Sequence, residues 1–248
     1  MEEARLIIKV SAALYGLGLL AACAGPRCTV AARLLAWVAA GCGFAYVGLR
    51  YSLAWPMTPM FMGTAAIPPV LAAIGALRAG RQGGFFLSGT LALAFLLAGL
   101  SVAFPKDFYL PFIKTLSPFS HLMLGLGVAG KACLLAAGVA AAPVLFRAGG
   151  GEGDFFSWVV WGFALWTLAL FAGEMWSYSG WGIPVVWEDP TIITAMATWF
   201  FYVGLMHLHL TRSAGPGVRA GVAVAGVAVV LVLNCGPDLG PFRPPFGP

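Results

Sequence analysis

Three histidines, nine tryptophans and few acids define the chemistry open to this 248-residue chain. His121, His207 and His209 are the only imidazoles. His207 and His209 stand two residues apart, about 200° round a helix, so they cannot chelate one metal ion together. A neutral imidazole inside an apolar segment is either a hydrogen-bonded core residue or a ligand, and an ionisable group in such a place is first read as functional. A second cluster lies at Gly180 to Pro190, "GWGIPVVWEDP", where Trp181 and Trp187 flank a Gly and a Pro and precede Glu188 and Asp189. Trp176 stands just upstream.

Each of these residues has a structural explanation as well as a chemical one. Tryptophans gather at both membrane interfaces without any ligand. Asp189 followed by Pro190 is a helix start, in which the carboxylate accepts from free backbone N–H groups and Pro supplies the fixed φ. Two indoles with a shaped backbone between them also make a platform for a large flat apolar ligand. Imidazoles near opposite membrane faces of one bundle are what a protein conducting haem requires, because neutral imidazole is a common axial ligand of haem iron.

The elements that must position these groups are membrane helices. Hydrophobic residues make up 60% of the chain and charged residues 9%, against about 25% charged in a soluble domain. Apolar runs of roughly 17 to 25 residues, each long enough to span a hydrocarbon core as a helix, alternate with short breaks. The expected spans are Leu6 to Ala24, Leu34 to Leu53, Phe61 to Leu77, Phe85 to Ala103, Ser120 to Phe146, Phe155 to Ala172, Ile192 to Leu210 and Val218 to Leu233. The fold class is therefore all-α, a polytopic transmembrane bundle of about eight spans, with residues 1–248 read as one integral membrane domain. The start, Met1-Glu2-Glu3, lacks the basic flank of a secretory signal, so the first segment is read as a retained helix.

Charge sets the expected orientation. One set of alternate connections holds Arg27, Arg33, Arg78, Arg81, Arg147, Arg212 and Arg219 against Glu152 and Asp154, or 7 − 2 = +5. The other set, with both ends of the chain, holds Arg5, Lys9, Arg50, Lys106, Lys114 and Arg243 against seven acids, or 6 − 7 = −1. The first set is assigned to the cytoplasm and both termini to the outside. The excess of positive charge is spread over short loops without aromatic interleaving, which excludes a nucleic-acid footprint and leaves the lipid bilayer as the surrounding partner. Lys131 falls inside the fifth span, and the sequence supplies no partner for it.

Polarity concentrates on the outward connections: Trp55 to Met62, Phe104 to Phe119 leading to His121, and Gly173 to Pro190. The inward ones are small and Gly-rich. The five cysteines show neither Cys-x-x-Cys nor Cys-x-x-Cys-His, so a thiol relay and a covalently attached haem are not expected. His207 lies about 15 residues, roughly 23 Å, into the seventh span, deep toward the cytoplasmic side. One of His207 and His209 must face the bundle, and the nearby Thr211 and Arg212 make His209 the expected interfacial one.

In this setting the chain resembles the CcsA/ResC-type cytochrome c biogenesis proteins, part of a haem-handling superfamily with a Trp-rich outer loop that also includes CcmC. The resemblance rests on Trp176, Trp181-Gly182, Trp187, Asp189-Pro190, Thr198-Trp199, Tyr202 and His207, and upstream on Leu110-Pro111 through Ser117 and on His121-Leu122-Met123. It implies that haem b, held non-covalently, is taken from the cytoplasmic side and presented on the periplasmic face of the cytoplasmic membrane for cytochrome c maturation. It implies the loop 173–190, with Trp176, Trp181, Trp187 and Asp189, as haem platform, His121 as outer axial ligand and His207 as the deep one. It also implies apocytochrome c and a ResB/CcsB-type membrane protein as partners, within a haem lyase or cytochrome c synthase complex.

The chain departs from the family pattern in three places. The usual Trp-x-Trp-Asp-Pro is here Val185-Val186-Trp187-Glu188-Asp189-Pro190, no histidine occurs in residues 234–248, and the Asn and Glu of the first outer loop are absent. An outer iron is then expected to be five-coordinate or to take a thioether from Met57, Met60 or Met62. A paralogue that retains haem or a quinone in a membrane redox complex is the alternative reading.

Overall fold

The structure, a computed structural model, describes residues 2–59, 61–105, 113–146 and 151–236, without the side chains of Glu2, Glu152 and Gly153. Met60, Lys106, Asp107, Leu110, Pro111, Arg147, Asp238 and Arg243 lie outside the described residues. Those that are described are overwhelmingly helical, as the uninterrupted apolar runs require, since a backbone in hydrocarbon must satisfy its polar groups internally. Seven helices among them are long and apolar enough to cross a membrane. They are α1 (Glu2–Cys23), α2 (Thr29–Ala54), α3 (Gly63–Ala103), α4 (Pro118–Leu145), α5 (Glu152–Trp181), α6 (Pro190–Leu210) and α7 (Pro216–Val230), the last prolonged by a π-helical turn, Leu231–Cys235.

Two expected spans are joined in α3. Its 41 residues would run about 60 Å if straight, twice a hydrocarbon core. Gly83 breaks it with φ 80° and ψ 178°, a conformation open in practice to glycine alone. The two arms fold back on each other, because a Cβ added at Gly75 would press on Thr90 and on Leu87. Residues 75 and 90 are nearly equidistant from Gly83, the signature of an antiparallel hairpin.

The chain gathers into two compact units. In the first, α1, α2 and α3 pack on one another. Small residues let them approach: Ala36 and Ala39 are fully buried, and Gly43 faces the Tyr15 hydroxyl and the Pro69 ring. Ser11 Oγ donates to the Ala39 carbonyl at 3.1 Å, and Arg33 Nε donates to the Ala76 carbonyl at 3.2 Å.

The second unit, residues 56–58 and 112–237, holds the candidate site. Here α4 packs along α5 and α7, and α6 packs on both α5 and α7. The α4–α5 contact is close because glycines line it. A Cβ at Gly130 would lie 2.9 Å from Trp166 N, and one at Gly162 would lie 2.6 Å from Leu134 Cδ2. Elsewhere in the unit, Asn234 Nδ2 donates to Thr198 Oγ1 at 2.7 Å, tying the π-helical turn to α6. Such polar pairs are the usual glue between membrane helices.

Candidate functional site

One end of the second unit is built from three stretches far apart in sequence. Pro56 to Thr58 comes first, then Ile113 to His121, then the last turns of α5. A hydroxyl knot joins the first two: Thr58 Oγ1 and Ser120 Oγ lie 2.6 Å apart, and Ser120 Oγ donates to the Thr115 carbonyl at 2.8 Å. All three residues are buried. Ser117 caps α4, accepting from Phe119 N at 3.3 Å, with Pro118 at the first helical position. This start sets His121 in the first turn.

His121 is half-buried, and its Nε2 lies 3.2 Å from the Pro56 carbonyl oxygen. A carbonyl only accepts, so in this contact Nε2 carries the proton and a neutral ring has its lone pair on Nδ1. Ligation through Nε2 requires release of that bond. Of the thioethers, Met57 is half-buried within the second unit, while Met62 is 2% exposed at the start of α3 in the first unit.

The segment expected as a loop over 173–190 begins as helix. α5 continues through Trp181 and ends only at Gly182, whose φ of 79° forms a left-handed cap with its N–H on the Tyr178 carbonyl. Glycine is the residue that takes this conformation without a Cβ penalty. Ser177 Oγ then donates to the Ile183 carbonyl at 2.8 Å, which draws the following chain back toward the helix. Trp176 and Trp181 therefore both project from α5, and their rings meet edge to face with centroids 5.4 Å apart. Trp176 Nε1 donates to the Lys114 carbonyl at 2.6 Å. Lys114 Nζ sits 4.5 Å from the centroid of the Trp181 ring.

Lys114 was missed as a site residue in the sequence, where it is one of several outward cations. Its neighbours come from α5, more than 60 positions away, and no short-range pattern reports such a contact. Trp187 stands apart: it is 62% exposed, and among the described residues it shares no ring contact. Asp189 is the α6 cap, accepting from Thr191 N at 2.8 Å ahead of Pro190.

The two imidazoles of α6 separate as their spacing requires, but in the opposite sense to that expected. The buried face of α6 runs Ala195, Thr198, Tyr202, Leu205, with steps of three and four that lead next to residue 209. His209 stacks on Phe156 of α5, with ring centroids 3.4 Å apart and planes at 16°. His207 is on the exposed side of α6, in line with Phe200 and Gly204. Deeper in the unit, Trp199 Nε1 donates to Thr167 Oγ1 at 3.0 Å and Trp166 Nε1 to the Ala195 carbonyl at 3.4 Å. Lys131 Nζ lies 5.3 Å from the Trp166 centroid.

This end of the unit thus offers two indoles, with the part-buried N–H of Trp176 already satisfied, an imidazole bonded to a carbonyl, and an ammonium above a ring. No group of three His, Cys, Asp or Glu side chains capable of holding a metal ion occurs among the described residues. No disulfide joins the five cysteines.

An all-helical polytopic membrane protein with an aromatic and imidazole site at one end of its second unit is the class so defined. Residues 153–236 match the model of a family described as cytochrome C assembly protein. The chain is 36% identical over 78 residues to the cytochrome c biogenesis protein CcsA of Prochlorococcus marinus (strain MIT 9303), covering 32% of this chain and 24% of that protein. It is 33% identical over 78 residues to the CcsA of Thermosynechococcus vestitus, with the same coverages of 32% and 24%. Over this C-terminal segment the chain is similar to the CcsA-type cytochrome c biogenesis proteins. The match spans about a quarter of the length of these curated relatives. Trp176, Trp181, Trp187, Asp189 and His207 fall inside the family match, and His121 and Lys114 lie before it.

Proposed function

We propose that this protein handles haem b in the membrane and presents it on the outer face for cytochrome c maturation. The observation that carries the reading is the Trp176–Trp181 pair, locked onto Lys114 in the same outer end that holds His121, and lying partly in the segment that matches the cytochrome C assembly family. The edge-to-face indole pair would pack against the macrocycle, and His121 would ligate the iron on release from Pro56. When bound, haem supplies the vinyl groups that react with the cysteines of an apocytochrome c Cys-x-x-Cys-His. The contribution of this chain is to bind and orient, as part of a haem lyase or synthase complex with a ResB/CcsB-type partner.

The topology that fits this reading has eight crossings, counting both arms of α3, with both termini outside. It puts the Trp176–Trp181 end on the periplasmic side of the cytoplasmic membrane. His207, exposed on α6, serves as the deep ligand only if another chain or the haem itself covers that side. Asp189 acts through its cap, holding the start of α6, and Trp187 would close over a ligand from its exposed position.

Absorption spectra of the purified protein, oxidised and reduced, test the proposal. The wild type is expected to carry a Soret band that weakens or shifts in His121→Ala and in His207→Ala. Haem-free protein from haem-replete cells overturns it. The second reading, a subunit that retains haem or quinone for electron transfer, draws on the lack of histidine in residues 234–248. Deletion of the gene separates the two, since only haem delivery predicts loss of holocytochrome c with apocytochrome still made.

A further inference from the structure

Lys114 is held in three ways. Its carbonyl accepts the Trp176 indole N–H at 2.6 Å, and its ammonium lies 4.5 Å from the Trp181 centroid. Its stem lies against the end of α5, where a Cβ added at Gly180 would come 3.7 Å from both Lys114 Cβ and Cδ. The side chain is half-buried, and among the described residues no carboxylate pairs with it. An ammonium has three donors, and a ring face engages only one side of it. Long flexible lysines at a membrane interface ordinarily extend into water. This one instead folds back over a tryptophan, which fixes a positive charge at the rim of an aromatic surface.

We propose that Lys114 is a clamp for a ligand carboxylate, holding the acidic edge of an amphipathic ring system whose apolar part packs against the edge-to-face Trp176–Trp181 pair. The inference rests on the haem reading above and names the group recognised, a propionate carboxylate. The geometry divides the labour: the indole pair takes the apolar ring, and the ammonium selects an acid over a neutral edge. Lys114 becomes a specificity-determining residue, which His121 cannot be, because an iron ligand is indifferent to the propionates.

The test uses the full-length protein in nanodiscs of zwitterionic lipid, so that no anionic headgroup competes. Titration with haem and with haem dimethyl ester is followed by the Soret band and by tryptophan fluorescence quenching. The wild type is expected to bind haem at least tenfold more tightly than the ester. Lys114→Met should bind both with the weaker affinity, and Lys114→Arg should restore most of the preference. Both substitutions leave the backbone carbonyl that holds Trp176 in place, so a loss in Lys114→Met with rescue by Arg reports the charge and not the fold. A wild type that binds haem and ester equally overturns the clamp while the haem reading stands, as does a Lys114→Met protein that keeps the preference. A wild type that binds neither overturns both.

Discussion

The indole N–H of Trp176 and the carbonyl oxygen of Lys114 meet at 2.6 Å, joining the last turns of α5 to the short helical turn Ile113–Thr115. This bond makes one site of two stretches that sequence order keeps far apart. Trp176→Phe keeps the ring and removes the donor, leaving a partly buried carbonyl unpaired, which costs about 1–3 kcal/mol. A lowered thermal midpoint and faster protease cleavage within residues 113–117 are expected. An unchanged midpoint would mean that water replaces the indole there at no loss.

The α4–α5 contact depends on glycine. Gly162→Ala places a methyl 2.6 Å from Leu134 Cδ2 and 2.9 Å from Leu134 N, so the helices must part. Overpacking of this kind costs about 1–3 kcal/mol. Gly125→Ala, where a Cβ meets nothing within 4 Å, is the control and should be neutral or stabilising by up to about 1 kcal/mol through helix propensity. Unfolding in mixed micelles, followed by circular dichroism, distinguishes the pair.

Gly83 turns α3 back on itself at φ 80°, ψ 178°. Gly83→Ala should cost about 1–3 kcal/mol as backbone strain, with little effect from Gly84→Ala, at a position of ordinary φ with open space around it. The hairpin also predicts that single cysteines placed at Gly63 and Ala103 react with an impermeant maleimide from the same side of the membrane, and one at Gln82 from the other. Labelling of residues 63 and 103 from opposite sides would show α3 to be a single crossing.

Lys131 lies near the middle of α4, beside Trp166 near the middle of α5. No carboxylate pairs with it among the described residues. A charged lysine at mid-membrane costs about 2.5–3.5 kcal/mol on insertion scales, and a cation–π contact returns about 0.5–2 kcal/mol of it. Lys131→Met is therefore expected to raise the midpoint of unfolding. A loss of stability would show that the ammonium has a structural partner stronger than the indole.

The membrane class, the positions of the helices and the cap at Asp189 were all readable from residue order, because each depends on local physics. A run of apolar residues must be helical in hydrocarbon. Asp before Pro starts a helix wherever it sits. The separation of His207 from His209 was equally legible, for two residues always differ by about 200° on a helix. Which of them faces the bundle was not, since that depends on where α5 lies, and it proved to be His209, stacked on Phe156.

The candidate site shows the same division. Sequence singled out Trp176, Trp181 and His121 by residue type, and it marked Gly182 and Pro184 as shaping the backbone. It read Gly173 to Pro190 as an outward connection. The helix persists to Trp181 because its backbone bonds do not depend on side-chain polarity, and it stops where Gly182 enters the left-handed region. Sequence by itself thus determined what the chain is made of: membrane helices, and the indoles and the imidazole that one end displays. Only the tertiary structure decided that Trp176 pairs with Trp181, that both close on Lys114, and that Pro56 holds His121. Those contacts join residues many turns apart, and their formation depends on helix packing that no local pattern encodes.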